Sequence, residues 1–126
     1  VLDEKFVLPI DVAEDDMSPG GVLSFDGLAG WFDVDFAGSP QNPADSVVQL
    51  TTAPDSQGAT HWGQQGFFLH PVMAVNSGDE IRGKMHMERN KENHRLMDVL
   101  FDFSHVRSQD GQEYVGPPRH APYCIE

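Results

Sequence analysis

Apolar residues in this chain recur at every second position over short stretches, and no segment sustains the 3.6-residue apolar period of a helix. From Ile81 to Glu88, Ile81, Gly83, Met85 and Met87 alternate with Arg82, Lys84, His86 and Glu88. From Arg95 to Phe103, Met97, Val99, Phe101 and Phe103 alternate with Leu96, Asp98, Leu100 and Asp102. After Gly27, Phe32, Val34 and Phe36 take one side and Trp31, Asp33 and Asp35 the other. Successive side chains of a strand point to opposite faces, so this pattern predicts half-buried antiparallel strands. Clusters of Gly, Pro, Asn and Asp separate them at short intervals, which predicts an all-β sandwich or barrel.

The remaining segments fit the same scheme. Lys5 to Ile10 reads as a short strand, with Pro9 marking an edge or an end. Asp11 to Gly21 reads as an acidic loop, without the spaced oxygen ligands and distal glutamate of an EF-hand. Gly38 to Pro43 breaks the strand before it. Val47 to Ala53 is a β-branched strand that stops at Pro54, and a second strand carries Phe67-Phe68-Leu69 and stops at Pro71. Val72 to Val75 reads as a separate short strand closed by the turn signature Asn76-Ser77-Gly78-Asp79. Asp110-Gly111 is a hairpin signal with Glu113-Tyr114-Val115 as a pairing strand, and the proline-rich end from Pro117 to Pro122 is extended.

A chain of 126 residues suits one domain spanning 1–126, and 39% hydrophobic content with a mean hydropathy of −0.40 suits a soluble one. No apolar run is long enough to span a bilayer. No secretory signal opens the sequence, and a start at Val1 looks like a cut from something longer. The single cysteine, Cys124, excludes an internal disulfide and suits a reducing compartment, cytoplasmic or nuclear. Twenty acidic residues against eight basic give a net charge of −12. The excess lies in the first half: Val1 to Thr60 holds eleven acidic residues and one basic, Lys5, and His61 to Glu126 holds nine and seven. Such a surface repels phosphate backbones and attracts cationic partners, so direct nucleic-acid binding is not expected and basic peptides are suitable ligands. Solubility alone accounts for such charge in many proteins.

The candidate site is Thr60-His61-Trp62, delivered to the start of the second central strand by the loop Asp55 to Ala59. A histidine and a tryptophan at a strand mouth can serve chemistry or recognition. Equally, Trp62 can fill the end of a core while His61 is a solvated cap. Other chemistries lack their partners. The six histidines show neither H-x-x-x-H nor H-x-H spacing, and His86-Met87-Glu88 lacks the P-C-x-x-C that accompanies H-x-E in zinc deaminases, so no metal ligands are assigned. No G-x-G-x-x-G occurs. Asp102, Ser104 and His105 supply the residue types of a hydrolytic triad, but close neighbours along a strand cannot converge as a triad does.

Leu50-Thr51-Thr52-Ala53-Pro54 followed by Thr60-His61-Trp62-Gly63-Gln64-Gln65 resembles the C-terminal barrel domain of protein arginine methyltransferases. Trp31-Phe32-Asp33-Val34-Asp35-Phe36 resembles an upstream strand of that domain. Gly78 to Gly83 and Asn93 to Val99 are similar to its next two strands, and Tyr123 to a terminal tyrosine. The resemblance covers residues 25 to 103 well and the ends weakly. It implies an antiparallel, barrel-like or jelly-roll-like sandwich, incomplete on one side because the family's first barrel strand and helical dimerisation arm precede the matching region.

The resemblance also implies a function. This stretch would be the substrate-binding domain of an S-adenosylmethionine-dependent arginine methyltransferase, inactive alone, with the cofactor bound by a separate N-terminal domain. His61 would reach into the cleft and pair with a carboxylate of that domain, which favours the imidazolium and orients the site. Thr60 and Trp62 would shape the substrate groove. The implied partners are arginine-rich protein substrates, the cofactor domain and a second copy of the whole enzyme. Thr-His-Trp resembles the branch that makes asymmetric dimethylarginine. A free-standing acidic β-sandwich that binds basic peptides without catalysis is the alternative.

Overall fold

The computed structural model describes residues 1–13, 23–54 and 60–126. Among them are nine strands and no helix: β1 (Leu2–Pro9), β2 (Leu23–Gly30), β3 (Asp33–Gly38), β4 (Pro43–Thr51), β5 (Gln65–Val75), β6 (Glu80–Arg89), β7 (Met97–Gln109), β8 (Gln112–Val115) and β9 (Arg119–Ile125). Strands β1, β6, β7, β8 and β9 form one sheet, with β2–β5 and β3–β4 as two-stranded sheets. The pairings of the five-stranded sheet and of β3 with β4 are antiparallel, as the alternation predicts. None of these sheets closes on itself into a barrel. The chain divides into two compact units, Val1–Asp26 with Leu69–Glu126, and Gly27–Phe68.

The first unit is built on the five-stranded sheet. β7 is its long central strand, paired with β6 on one side and, on the other, with β9 along its first half and β8 along its second. The register aligns Met85, Phe101 and Ala121 in one row and Met87, Val99 and Tyr123 in the next. This is the inward set that alternation assigns: Ile81, Val99, Phe101 and Phe103 are buried. Edge-to-face aromatic contacts knit it together, Phe6 on Phe101 at 6.3 Å, Tyr123 on Phe101 at 6.0 Å and Phe25 on Phe103 at 6.2 Å. Gly83 is opposite Phe6 and Phe103, and a Cβ there would lie 2.6 Å from Phe103 Cβ, so only glycine lets β6 and β7 approach this closely.

The opposite face carries the polar residues. His86 Nδ1 lies 2.6 Å from Asp3, His120 pairs with Asp102, and Arg82 grips Glu113 through both terminal nitrogens at 2.9 and 2.7 Å. Asp102 and His105 thus do not converge with Ser104, since His105 bonds Asp79 instead. The hairpin at Asp110-Gly111 forms as predicted: φ is 52° and 75° at these residues, and the pairing closes at Gln109–Gln112.

Two strand boundaries differ from expectation. β5 does not stop at Pro71 but runs through it to Val75, with a cis His70–Pro71 bond. A proline is tolerated because, among the described residues, β5 pairs with β2 alone, leaving one edge that needs no N–H donor. The proline-rich end is a strand as well as extended: Pro122 is opposite Leu100 in β9, again at a sheet edge. Of the expected acidic loop from Asp11 to Gly21, residues 14–21 lie outside the described residues, as does the loop from Asp55 to Ala59.

In the second unit, β3 and β4 form a ribbon joined by a tight turn. Ser39 and Asn42 exchange backbone bonds at 3.0 and 3.1 Å, and Gly38 takes φ 77° beside a register shift. The faces segregate as predicted, with Val34 and Leu50 on one side and Asp35 and Gln49 hydrogen-bonded at 3.0 Å on the other. The ribbon is nevertheless not half-buried. Val34, Phe36, Val47 and Val48 are all exposed. Alternation reports which side chains share a face, and burial needs a second layer, which the two-stranded sheet does not contain. The continuous strand expected from Gly27 is also divided, with Trp31 and Phe32 between β2 and β3.

Candidate functional site

The site is built on the end of β4. Thr52, the residue after that strand, is 1% exposed, and its hydroxyl donates to Phe32 O at 2.8 Å while accepting from Phe32 N at 3.1 Å. Thr52 N donates to the same carbonyl at 3.1 Å. A buried hydroxyl that is both donor and acceptor is fully used here, and it fixes the backbone of Phe32. From the other side, Gln64 Nε2 donates to Thr52 O at 2.6 Å. Thr52 therefore anchors both the segment before β3 and the segment before β5. The neighbouring hydroxyl, Thr51 Oγ1, only caps Ala53 N at 3.2 Å.

The triplet does not open a strand; residues 60–64 precede β5 as a loop. Thr60 Oγ1 donates to Trp62 O at 3.2 Å, which curls the segment on itself. Trp62 meets Phe32 edge-to-face at 5.9 Å, and His61 lies over Trp62 with ring centroids 4.0 Å apart and planes 32° from parallel. Trp62 is 45% exposed, so it does not fill the end of a core. His61 is exposed, and among the described residues it forms no hydrogen bond or ion pair beyond this ring contact. Beside the triplet is a cleft of about 260 Å³ lined by Thr52, Pro54, Thr60, Trp62 and Gln64. The chain of support runs from buried Thr52 through Phe32 and Trp62 to an imidazole presented to solvent. Such an arrangement can hold a carboxylate or another hydrogen-bonding group at a fixed place.

Thr60, His61 and Trp62 are brought together, as adjacency requires. Thr52, Phe32 and Gln64, which hold them, stand within the motifs that carry the family resemblance, but sequence reasoning assigned them no role at the site. The doublet Thr51-Thr52 gives no sign of which hydroxyl is buried; strand alternation puts one of the two inward but not which.

Residues 17–109 match the family model described as the arginine methyltransferase oligomerization subdomain. Protein arginine N-methyltransferase PRMT10 of Oryza sativa subsp. japonica is 59% identical over 76 residues, 60% of this chain and 20% of that protein. Its Arabidopsis thaliana counterpart is 48% identical over 73 residues, 58% and 19% of the two chains. Protein arginine N-methyltransferase 1 of Caenorhabditis elegans is 42% identical over 54 residues, 43% and 15%. The crystal structure of Arabidopsis thaliana protein arginine methyltransferase 10, a uniquely open conformation, matches with a TM-score of 0.77 at 32% identity, over 99% of this chain and 33% of that one. The chain spans about a fifth of the length of these PRMT10 relatives. By a match covering most of its residues, and by a fold shared with a solved member, the chain belongs to the arginine methyltransferase family, as its C-terminal barrel subdomain.

Proposed function

We propose that the chain, acting as one domain, forms one wall of the active-site cleft of an S-adenosylmethionine-dependent protein arginine methyltransferase. His61 orients the site by pairing with a carboxylate from the rest of the enzyme, and Thr60 and Trp62 line the substrate groove. The observation that carries this reading is His61 itself: an exposed imidazole without a polar partner among the described residues, held in place by rings that a buried threonine anchors. A merely solvated histidine has no need of that support.

The described residues do not fit the cofactor. They contain no helix, and so no glycine-rich strand-to-helix turn to hold it, and the cofactor is assigned to the remainder of the enzyme. What this chain contributes is position. An imidazolium paired across the cleft keeps its own ring and its carboxylate partner from wandering, and Trp62 offers a flat face on which a guanidinium stacks. The net charge of −12 favours the approach of arginine-rich substrates. A homodimer of the whole enzyme is supported by the family description as an oligomerization subdomain.

The groove assignment is tested by titrating the whole enzyme with an arginine-rich peptide and following the Trp62 indole N–H resonance, identified through its loss in Trp62→Phe. The expected outcome is a saturable shift over the peptide concentrations that saturate turnover. An indole signal that stays put while the enzyme turns the peptide over contradicts the assignment.

A further inference from the structure

A second polar cluster lies in the first unit, at the end of β7. His105 Nε2 is 2.6 Å from Asp79 Oδ2, and Asn76 N donates to the same oxygen at 2.9 Å. Asp79 is nearly buried, and it also closes the chain: Ile10 N donates to its carbonyl at 2.8 Å, while Gly78 N donates to Ile10 O at 2.7 Å. Two residues beyond His105, Arg107 Nε stands 3.6 Å from Asp79 Oδ1, near enough for charge attraction and too far for a hydrogen bond. The terminal nitrogens of Arg107 have no partner among the described residues.

These groups border a depression of about 370 Å³ lined by His105, Arg107, Gln109, Tyr114 and Gly116. Tyr114 is directly opposite Arg107 in the β7–β8 pairing. Gly116 donates its N–H to His105 O at 2.8 Å and places no side chain over the opening. In a chain of net charge −12, none of the five lining residues is acidic. Glu113, the carboxylate nearest in sequence to Tyr114, is already held by the two terminal nitrogens of Arg82. Asp79 has its oxygens occupied by Asn76, His105 and the attraction of Arg107. The depression thus offers a guanidinium fork and an amide without a competing carboxylate on its lining, while the Tyr114 hydroxyl is already donated to Gln112 Oε1 at 3.2 Å.

We propose that this depression is a binding site for a single oxyanion, a carboxylate or a phosphate group, received by the free nitrogens of Arg107. Guanidinium nitrogens match the paired oxygens of such groups in geometry as well as charge, and the Arg107 side chain is half-exposed and open to a ligand from solvent. His105, held by Asp79, and the ring of Tyr114 wall the depression, and Gln109 supplies a neutral amide at its rim. Its lining includes none of Thr60, His61 and Trp62, and the proposal does not depend on the role given to that triplet.

The experiment is an amide NMR titration of the ¹⁵N-labelled chain with inorganic phosphate and, separately, with acetate, at fixed pH and ionic strength. The expected result is saturable shifts centred on Arg107, Tyr114 and Gly116, and the stronger of the two salts identifies the oxyanion. Arg107→Gln should weaken binding by about tenfold or more, the loss expected for one charge-assisted contact. Arg107→Lys, which keeps the charge and loses the fork, should fall between the two, and melting curves establish that each variant is folded. Absence of saturable shifts in the wild type with both salts overturns the proposal. Equal affinity of wild type and both folded variants overturns it too.

Discussion

Asp79 shows how a single carboxylate is stabilised against its own burial. Desolvation pushes its pKa up, but the hydrogen bonds from Asn76 N and His105, together with the charges of His105 and Arg107, outweigh this and hold it below the ordinary carboxylate value. An acid whose folded-state pKa is depressed contributes stability that is fully present above its unfolded value, about 3.9, and is lost as pH falls through the folded value. The wild type should therefore exceed Asp79→Asn in urea midpoint by a constant margin at neutral pH. That margin should shrink below about pH 4. Denaturation curves of both proteins across this range check it, and a margin independent of pH would show that Asp79 contributes through shape alone. The Glu113 pKa is lowered by its hydrogen bonds to Arg82, but the pair is exposed to solvent, and little stability is expected from it.

At the scale of elements, the clip formed by Thr52 is the most economical support for the candidate site. Thr52→Val keeps the β-branched shape and removes the hydroxyl, leaving Phe32 without its side-chain partner in a part-buried place. The cost should be about 1–3 kcal/mol of stability, with Thr52→Ser recovering part of it. Thr51→Val, which loses only one contact to Ala53, should cost clearly less in the same thermal melts. Much of the sheet was legible in the residues. Period-two alternation gave the inward set around Val99, Phe101 and Phe103, and Asp110-Gly111 gave a hairpin because their backbone conformation favours a two-residue turn. What was not legible depends on contacts distant in sequence. His105 looks like a neighbour of Ser104 until Asp79, 26 residues away, takes its ring nitrogen. Pro71 looks like a strand end and Pro122 like part of an extended tail, and both are tolerated within strands only because those strands lie at edges, which is a property of the assembled sheet. The exposed faces of β3 and β4 differ from expectation for the same reason, since no periodicity states what covers a ribbon.

For the whole molecule, the chain accounts for about a fifth of the PRMT10 relatives it matches, so the active-site role proposed for it calls for residues outside these 126. Family membership and the all-β architecture follow from the matched residues and from the shared fold. The role proposed for His61 rests on its presentation: exposed, stacked on Trp62 and supported through Phe32 by Thr52. The most direct measurement is steady-state methylation of an arginine-rich peptide by the whole enzyme and by its His61→Ala variant, with melting curves to establish folding. If, as proposed, the imidazole positions groups rather than carrying the reacting proton, kcat should fall by roughly ten- to a thousandfold with cofactor affinity little changed. The Thr51→Val enzyme should remain close to wild type. A folded His61→Ala enzyme with wild-type kcat and KM would contradict the account and reduce His61 to a solvated residue on a shared fold.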